Sequence, residues 1–376
     1  MKAAAIVLSG LFVAGAAAPA HAQFGGALGK IQKGADKAVE AKQKVDDITF
    51  SDEEERQLGE DVSERLRDRF GVVQDRELTK YVSLVGSVVA QQSSRPGLQW
   101  TFIVLDTDGV NAYAAPGGFV HITRGLLGLI KNEAELAGVL GHEVTHVADK
   151  HTVRAIQRGK LLDTGTEAAS RNAGWTNEQL AKISDKLFQH IFEGQWSQGD
   201  ENDADHGGAI DASKAGYDPH GLVTALEKVD ARNAGNSEHN GWFASHPDTR
   251  ERINKVTKQI SSEHLSGKAL VEARYKQHVT FDAKPLSEIS ADEAGAAGLA
   301  SGEKKKTDDK KDEPKKKGGL AGMMGGGKQQ ASAQQTASAG ARGIGKDTYA
   351  TGGSNPAIVA VRVTPDEITA FKKGIV

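Results

Sequence analysis

The chain of 376 residues contains no cysteine. That excludes disulfide staples, and it excludes an N-terminal cysteine carrying a lipid anchor. A surplus of charge of one sign is also missing. With 47 Lys and Arg against 50 Asp and Glu, the formal net charge is −3, which argues against nucleic acid as a partner. Beyond the N-terminus no apolar run reaches the roughly 20 residues that a membrane-spanning helix needs. The N-terminus itself has Lys2, an apolar stretch from Ala3 to about Ala18, and the small-x-small tripeptide Ala20-His21-Ala22. This is the pattern of a cleaved secretory signal over residues 1–22. The expectation is an exported protein, periplasmic or alternatively secreted, with no transmembrane segment in the mature chain.

Against these absences stands one dense stretch, Asn132-Glu-Ala-Glu-Leu-Ala-Gly-Val-Leu-Gly-His-Glu-Val-Thr-His-Val-Ala148. It contains His-Glu-x-x-His. In a helix, residues four apart lie on one face, so His142 and His146 can present two imidazoles to one ion while Glu143 projects beside them. A zinc hydrolase needs such parts: nitrogen ligands, an open coordination position, and a carboxylate to take a proton from water. Asn132 is placed to cap this helix, with Glu135 completing a capping box, and Leu136, Val139, Leu140 and Val147 form an apolar face. Gly138 and Gly141 weaken a helix by about 1 kcal/mol each relative to Ala, which points to another backbone packed against them. The bland alternative is a core helix with two incidental histidines.

Around this stretch the pattern predicts an α+β domain over residues 51–285, mostly helical with a small antiparallel sheet. Ser51 caps a helix carrying Leu58, Val62, Leu66 and Phe70, and a second helix carries Leu78, Tyr81, Val82, Val85 and Val89. Leu98, Trp100, Phe102 and Val104 alternate as in a strand. Pro116-Gly117-Gly118 inside a strand pattern argues for a bent edge strand flanking the motif helix, where an extended peptide can pair; an ordinary hairpin is the alternative. Thr176 and Gln179 form a capping box for a further helix, and Asp218-Pro219 starts another. Residues 23–50 read as a flexible lead-in. Between 286 and 355 the chain is a low-complexity linker, with eight lysines and five acids in 303–317 alone. Residues 356–376 regain order, as a strand pattern over Ala357–Val363 and a helix start at Thr364-Pro-Asp-Glu367. The catalytic core thus reads as complete before the linker.

A third ligand has to come from elsewhere. In one arrangement a further histidine follows as His-x-x-Gly-x-x-His, but positions 149 and 152 are Asp and Thr. His151 would lie about 180° around a continuous helix from His142, as a packing or surface residue. Glu201 is the better candidate. On a helix it shares a face with Asp205, which can orient a ligand imidazole, whereas Asp203 points away.

These residues resemble the HtpX and CAAX-prenyl-protease-like zinc peptidases, peptidase family M48, and in particular its soluble exported bacterial branch. The likeness covers about Ser51 to Ile253. It rests on Asn111-Ala112 with Pro116-Gly117-Gly118, Glu135-Leu136-Ala137 before His142-Glu143-x-x-His146, Glu201-x-x-Ala204-Asp205, Gly216-Tyr217-Asp218-Pro219, and His246-Pro247 with Arg252. It implies a zincin-like fold, one zinc per chain held by His142, His146 and Glu201, and Glu143 as general base. Ser197-Gln198 stands where relatives often have Ser-Arg. The activity implied is endopeptidase cleavage of unfolded or misassembled envelope proteins. His246 or Arg252 can stabilise the oxyanion, Arg252 can instead pair structurally with a carboxylate, and His246 can plug the open ligand position. The rivals are a zinc-stabilised holdase and a scaffold acting through its tail. Glu143 argues against both, since a purely structural site has no use for it.

Overall fold

In the computed structural model, the described residues are 49–157, 175–193, 196–234, 246, 249–289 and 355–375. The signal expected over 1–22, and nearly all of the lead-in and the linker, lie outside them. Ser51 accepts from the Glu54 N–H while the Glu54 carboxylate takes the Ser51 N–H, a reciprocal cap that starts α1 (Asp52–Phe70). Its stripe Leu58, Val62, Leu66 and Phe70 is fully buried. Asp75 caps α2 (Arg76–Ala90) through the Glu77 and Leu78 N–H groups.

Three strands follow: β1 (Thr101–Leu105), β2 (Ala112–Ala115) and β3 (Phe119–Thr123), with one turn of 3₁₀ helix over Pro116–Gly118 between β2 and β3. The spatial order is β1-β3-β2. β3 enters between the two earlier strands, so it pairs antiparallel with β2 and parallel with β1. The sheet is mixed, not antiparallel as expected. Alternation marks a strand but says nothing about its neighbour, and the pairing was decided by where β3 inserts. The alternation also did not separate core from solvent. Phe102, Val104, Val120 and Ile122 enter one apolar cluster with α2, while Ile103, Leu105, Tyr113 and Phe119 enter a second with α1, so the sheet is covered on both faces.

Thr123 caps the short α3 (Arg124–Leu129). The motif helix α4 (Glu133–Ala148) is buried along its whole length and packs against β2. Asn132 caps it by accepting from the Glu135 N–H at 2.9 Å. The expected capping box does not close. The Glu135 carboxylate takes the Lys131 N–H instead, 2.9 Å away, and binds Lys228 Nζ at 2.6 Å. Both helix glycines face backbone. A Cβ on Gly138 would stand 2.6 Å from the Leu222 nitrogen, and one on Gly141 2.9 Å from the Gly208 carbonyl oxygen. These two close crossings seat α7 (Gln198–Ala215) and α8 (His220–Asn233) against the motif helix. Between them in sequence from α4 to α7 come α5 (His151–Gln157) and α6 (Asn177–Glu193), the latter begun by the Thr176–Gln179 box. After α8 come α9 (Thr249–Ser262) and α10 (Glu272–His278). Among the described residues no helix is long and apolar enough to cross a membrane.

The C-terminal residues lie on this body. Asn355 O accepts the Val72 N–H, Pro356 O accepts from Arg67, and Ile358 and Val359 pack on the cluster beneath α1. Residues 357–363 run on without joining the sheet, so the expected strand is not formed. Thr364 and Glu367 close a capping box on α11 (Pro365–Lys372), and Lys80 holds Glu367 at 2.8 Å. Ile375 is buried, and Phe371 lies 3.9 Å from the Arg274 guanidinium, which grips the buried Glu133 at 2.6 Å. Ending the chain after Ile289 uncovers these contacts, and each lost apolar anchor is worth about 1.5–3 kcal/mol. The melting temperature is expected to fall by on the order of 5 °C or more, read by calorimetry against the full chain. An unchanged midpoint would show that residues 355–375 add no stability.

Candidate functional site

The first two donors follow from helical spacing alone. On α4, His142 and His146 sit one turn apart with both rings fully buried, and their Nε2 atoms lie 3.1 Å from each other. Gly141 of α4 meets Gly208 of α7 with no side chain between them, so α7 runs close enough to bring Glu201 and Asp205 to the imidazoles. Ser197 starts α7 by accepting from the Asp200 N–H, which puts Glu201 in the first turn. Glu201 Oε1 is 3.3 Å from His146 Nε2, and Oε2 is 3.8 Å from His142 Nε2. His246 completes the group, its Nδ1 standing 2.9 Å from Glu201 Oε2 and 3.3 Å from His142 Nε2.

Four donor atoms from His142, His146, Glu201 and His246 thus lie within 4.8 Å of one another, all on buried residues. Ligands about 2.1 Å from a tetrahedral zinc are about 3.4 Å apart, and these separations scatter around that value. The donor chemistry agrees. Burial drives the His142 pKa down to about 3, against the pull of Asp205, and burial lowers that of His246 too, so both rings are neutral and offer lone pairs. Glu201 stays ionised: burial opposes this, but His246 and Arg252 hold its carboxyl well below the usual range. Neutral nitrogens and a carboxylate converging on one point can hold a cation there, and the donor set fits zinc.

Asp205 and Arg252 stand behind these donors. Asp205 Oδ1 is 3.0 Å from His142 Nδ1, so the imidazole donates to it and directs its Nε2 inward. Arg252 donates through Nε to Asp205 Oδ2 at 2.8 Å and through Nη2 to Oδ1 at 2.7 Å, and its Nη1 lies 2.7 Å from Glu201 Oε2. Burial works against ionising Asp205, yet Arg252 and His142 bring its pKa down to about 2. The same guanidinium also donates to the His246 carbonyl, 3.2 Å away. It is 1% exposed, with its N–H groups engaged by Asp205, the donor Glu201 and the His246 carbonyl.

Glu143 is placed differently. Its carboxylate is 1% exposed, Oε1 has no hydrogen-bond partner among the described residues, and His246 Nε2 lies 3.6 Å from it. Burial, with the Glu201 charge adding to it and Arg252 opposing, raises its pKa well above the carboxylate range. A buried carboxylate with an empty acceptor beside a donor cluster is poised to take a proton.

His142, Glu143, His146, Glu201, Asp205, His246 and Arg252, the site residues expected from the sequence, therefore meet in one buried cluster, and Asp203, expected to point away, is exposed and faces Arg154. Beside the site the structure places two residues that the sequence pattern did not bring there, His151 and Trp196. His151 is not opposite His142, because α4 stops at Asp149 and the chain turns through Lys150, at φ 55°, before α5 begins. The turn brings His151 Nδ1 to 2.9 Å from His146 Nδ1. Trp196, just ahead of α7, lies with its ring centroid 4.5 Å from that of His146.

With this geometry in view, comparison with known proteins gives a consistent match. The family model described as Peptidase family M48 matches residues 76–260. The beta-barrel assembly-enhancing protease of Yersinia pestis is 27% identical over 228 residues, covering 55% of this chain and 46% of that protein. The mitochondrial metalloendopeptidase OMA1 of Schizosaccharomyces pombe is 26% identical over 208 residues, covering 54% and 60%. Metalloprotease YcaL of Escherichia coli K12 is 27% identical over 166 residues, covering 44% and 64%. The chain thus spans about half the length of the first of these relatives.

Proposed function

Residues 76–260 are a domain of peptidase family M48, and on that premise we propose that the chain is a zinc-dependent endopeptidase that cuts unfolded or misassembled proteins of the cell envelope. Its single zinc would be held by His142, His146 and Glu201. The observation that carries the reading is Glu143 Oε1, buried and without a hydrogen-bond partner among the described residues, beside the four-donor cluster. The periplasm is the proposed compartment, supported by the signal pattern over residues 1–22 and by the relatives named for beta-barrel assembly.

Zinc bound there supplies Lewis acidity, polarising the scissile carbonyl and making water easier to deprotonate. The chain's own groups do the rest. Glu143 accepts the proton of the attacking water as the C–O bond forms, and returns it to the amine as the C–N bond breaks. Asp205 keeps the Nδ1 proton on His142, so that Nε2 stays a lone-pair donor. Arg252 acts as a positioning residue, because its donors are engaged by Asp205, Glu201 and the His246 carbonyl. β2, at one end of the strand order and against the motif helix, is the proposed rail for an extended substrate.

His246 favours a resting form of the enzyme. Its Nδ1 sits among the donors, so the set is closed by four protein atoms, whereas catalysis needs one open position. His246→Ala is expected to raise kcat/KM on an unstructured peptide severalfold, on the order of 3–10-fold. A fall would assign His246 to the transition state instead. Digestion of casein with and without chelator tests the function as a whole. Chelator-sensitive cleavage supports the peptidase, while binding of unfolded protein without cleavage would favour a zinc-stabilised holdase.

A further inference from the structure

His146 can ligate through Nε2 only if its ring proton is on Nδ1. That nitrogen faces His151 Nδ1 at 2.9 Å, across two rings that are fully buried and nearly perpendicular, with centroids 4.8 Å apart. A separation of 2.9 Å between two ring nitrogens holds one proton. If it belonged to His151, His146 Nδ1 would be the acceptor and its own proton would sit on Nε2, pointing among the donors and preventing ligation. We propose that His151 is the positioning residue for His146, accepting its Nδ1 proton and thereby fixing the tautomer and ring angle in which Nε2 can bind zinc.

The two ligand imidazoles are thus held by unlike acceptors. His142 donates to the Asp205 carboxylate, and His146 donates to a neutral ring. His151 then carries its own proton on Nε2, an atom that is buried and has no hydrogen-bond partner among the described residues. A buried imidazole with one side unsatisfied costs free energy that packing alone would not maintain, and the contact on its other side explains it. The backbone is bent to make that contact. Lys150 adopts φ 55°, a region costly for a residue with a Cβ, and Lys150 is held there by an ion pair with the buried Glu55. The Trp196 ring also packs on His146, with centroids 4.5 Å apart.

The inference rests on the proposal that His146 holds zinc, and zinc content of the full-length wild-type chain is measured first. A metal-free chain overturns both together. With zinc present, chelator competition is run on His151→Leu, which removes the acceptor, and on His151→Asn, whose Oδ1 can stand near the Nδ1 position. His151→Leu is expected to weaken zinc binding by roughly 10–100-fold and His151→Asn by less than about threefold. Equal affinities in all three chains, or an Asn variant as weak as the Leu variant, overturn the assignment while leaving the proposed function intact. Nitrogen-15 NMR of the histidine-labelled, zinc-loaded wild type decides the matter even if a variant does not fold. His151 protonated on Nε2 is the expected pattern, and His151 protonated on Nδ1 refutes it.

Discussion

Glu143→Gln is expected to retain one zinc per chain, keep its melting temperature and lose peptide hydrolysis by roughly 10²–10⁴-fold, the usual weight of a positioned proton acceptor. The substitution hardly changes shape, and Oε1 makes no hydrogen bond among the described residues that the amide would break. It also removes a buried negative charge close to Glu201, whose repulsion is part of what raises the Glu143 pKa. Burial and that repulsion outweigh the attraction of Arg252 for the Glu143 charge, so the midpoint is expected to hold or rise slightly. What disappears is the capacity to take a proton. Metal analysis, calorimetry and kcat on one unstructured peptide check the three parts separately. A variant that loses its zinc would make Glu143 a ligand, and one that keeps full activity would remove the peptidase reading altogether.

Arg252→Met is expected to have the largest effect on the fold. The guanidinium is 1% exposed and stands between two buried carboxylates, Asp205 and Glu201. Removing it leaves both charges buried without their cation, a change that costs about 3–5 kcal/mol. For a domain of this size that is a fall of roughly 10 °C in melting temperature. The metal site should suffer as well, since Asp205 would no longer be held against His142 Nδ1. An Arg252 that instead touched the substrate's oxyanion would behave otherwise: kcat would drop while zinc content and midpoint stayed where they were. Calorimetry of the zinc-loaded and zinc-free forms distinguishes the two outcomes.

Much of the site was legible because it is written in helical periods. Positions i and i+4 share a face whatever surrounds the helix, so His142 with His146, and Glu201 with Asp205, could be paired from spacing alone. Helix starts were legible for a similar reason. Ser51 with Glu54, Thr176 with Gln179, and Thr364 with Glu367 satisfy one another within three residues, and all three reciprocal caps are present. Asn132 with Glu135 looked the same in sequence. It failed because Lys228, from a helix far along the chain, sits on the Glu135 carboxylate, which turns to the Lys131 N–H.

His151 was misplaced by extending α4 through it, when the chain leaves the helix at Asp149 and turns at Lys150. The anchor for that turn is the buried carboxylate of Glu55, distant in sequence, so no local rule could have given it. Strand pairing escaped for the same kind of reason, since β1 says nothing about β3 arriving between it and β2.

The sequence by itself determined the helices and most of their caps, and which residue types could serve a metal, because these depend on contacts a few residues apart. Only the tertiary structure decided the mixed sheet, the docking of the C-terminal residues, the Arg252 bridge between Asp205 and Glu201, and the turn that sets His151 against His146. Each of these depends on two segments distant in sequence burying charge or backbone against one another, and their free energy exists only once both are in place.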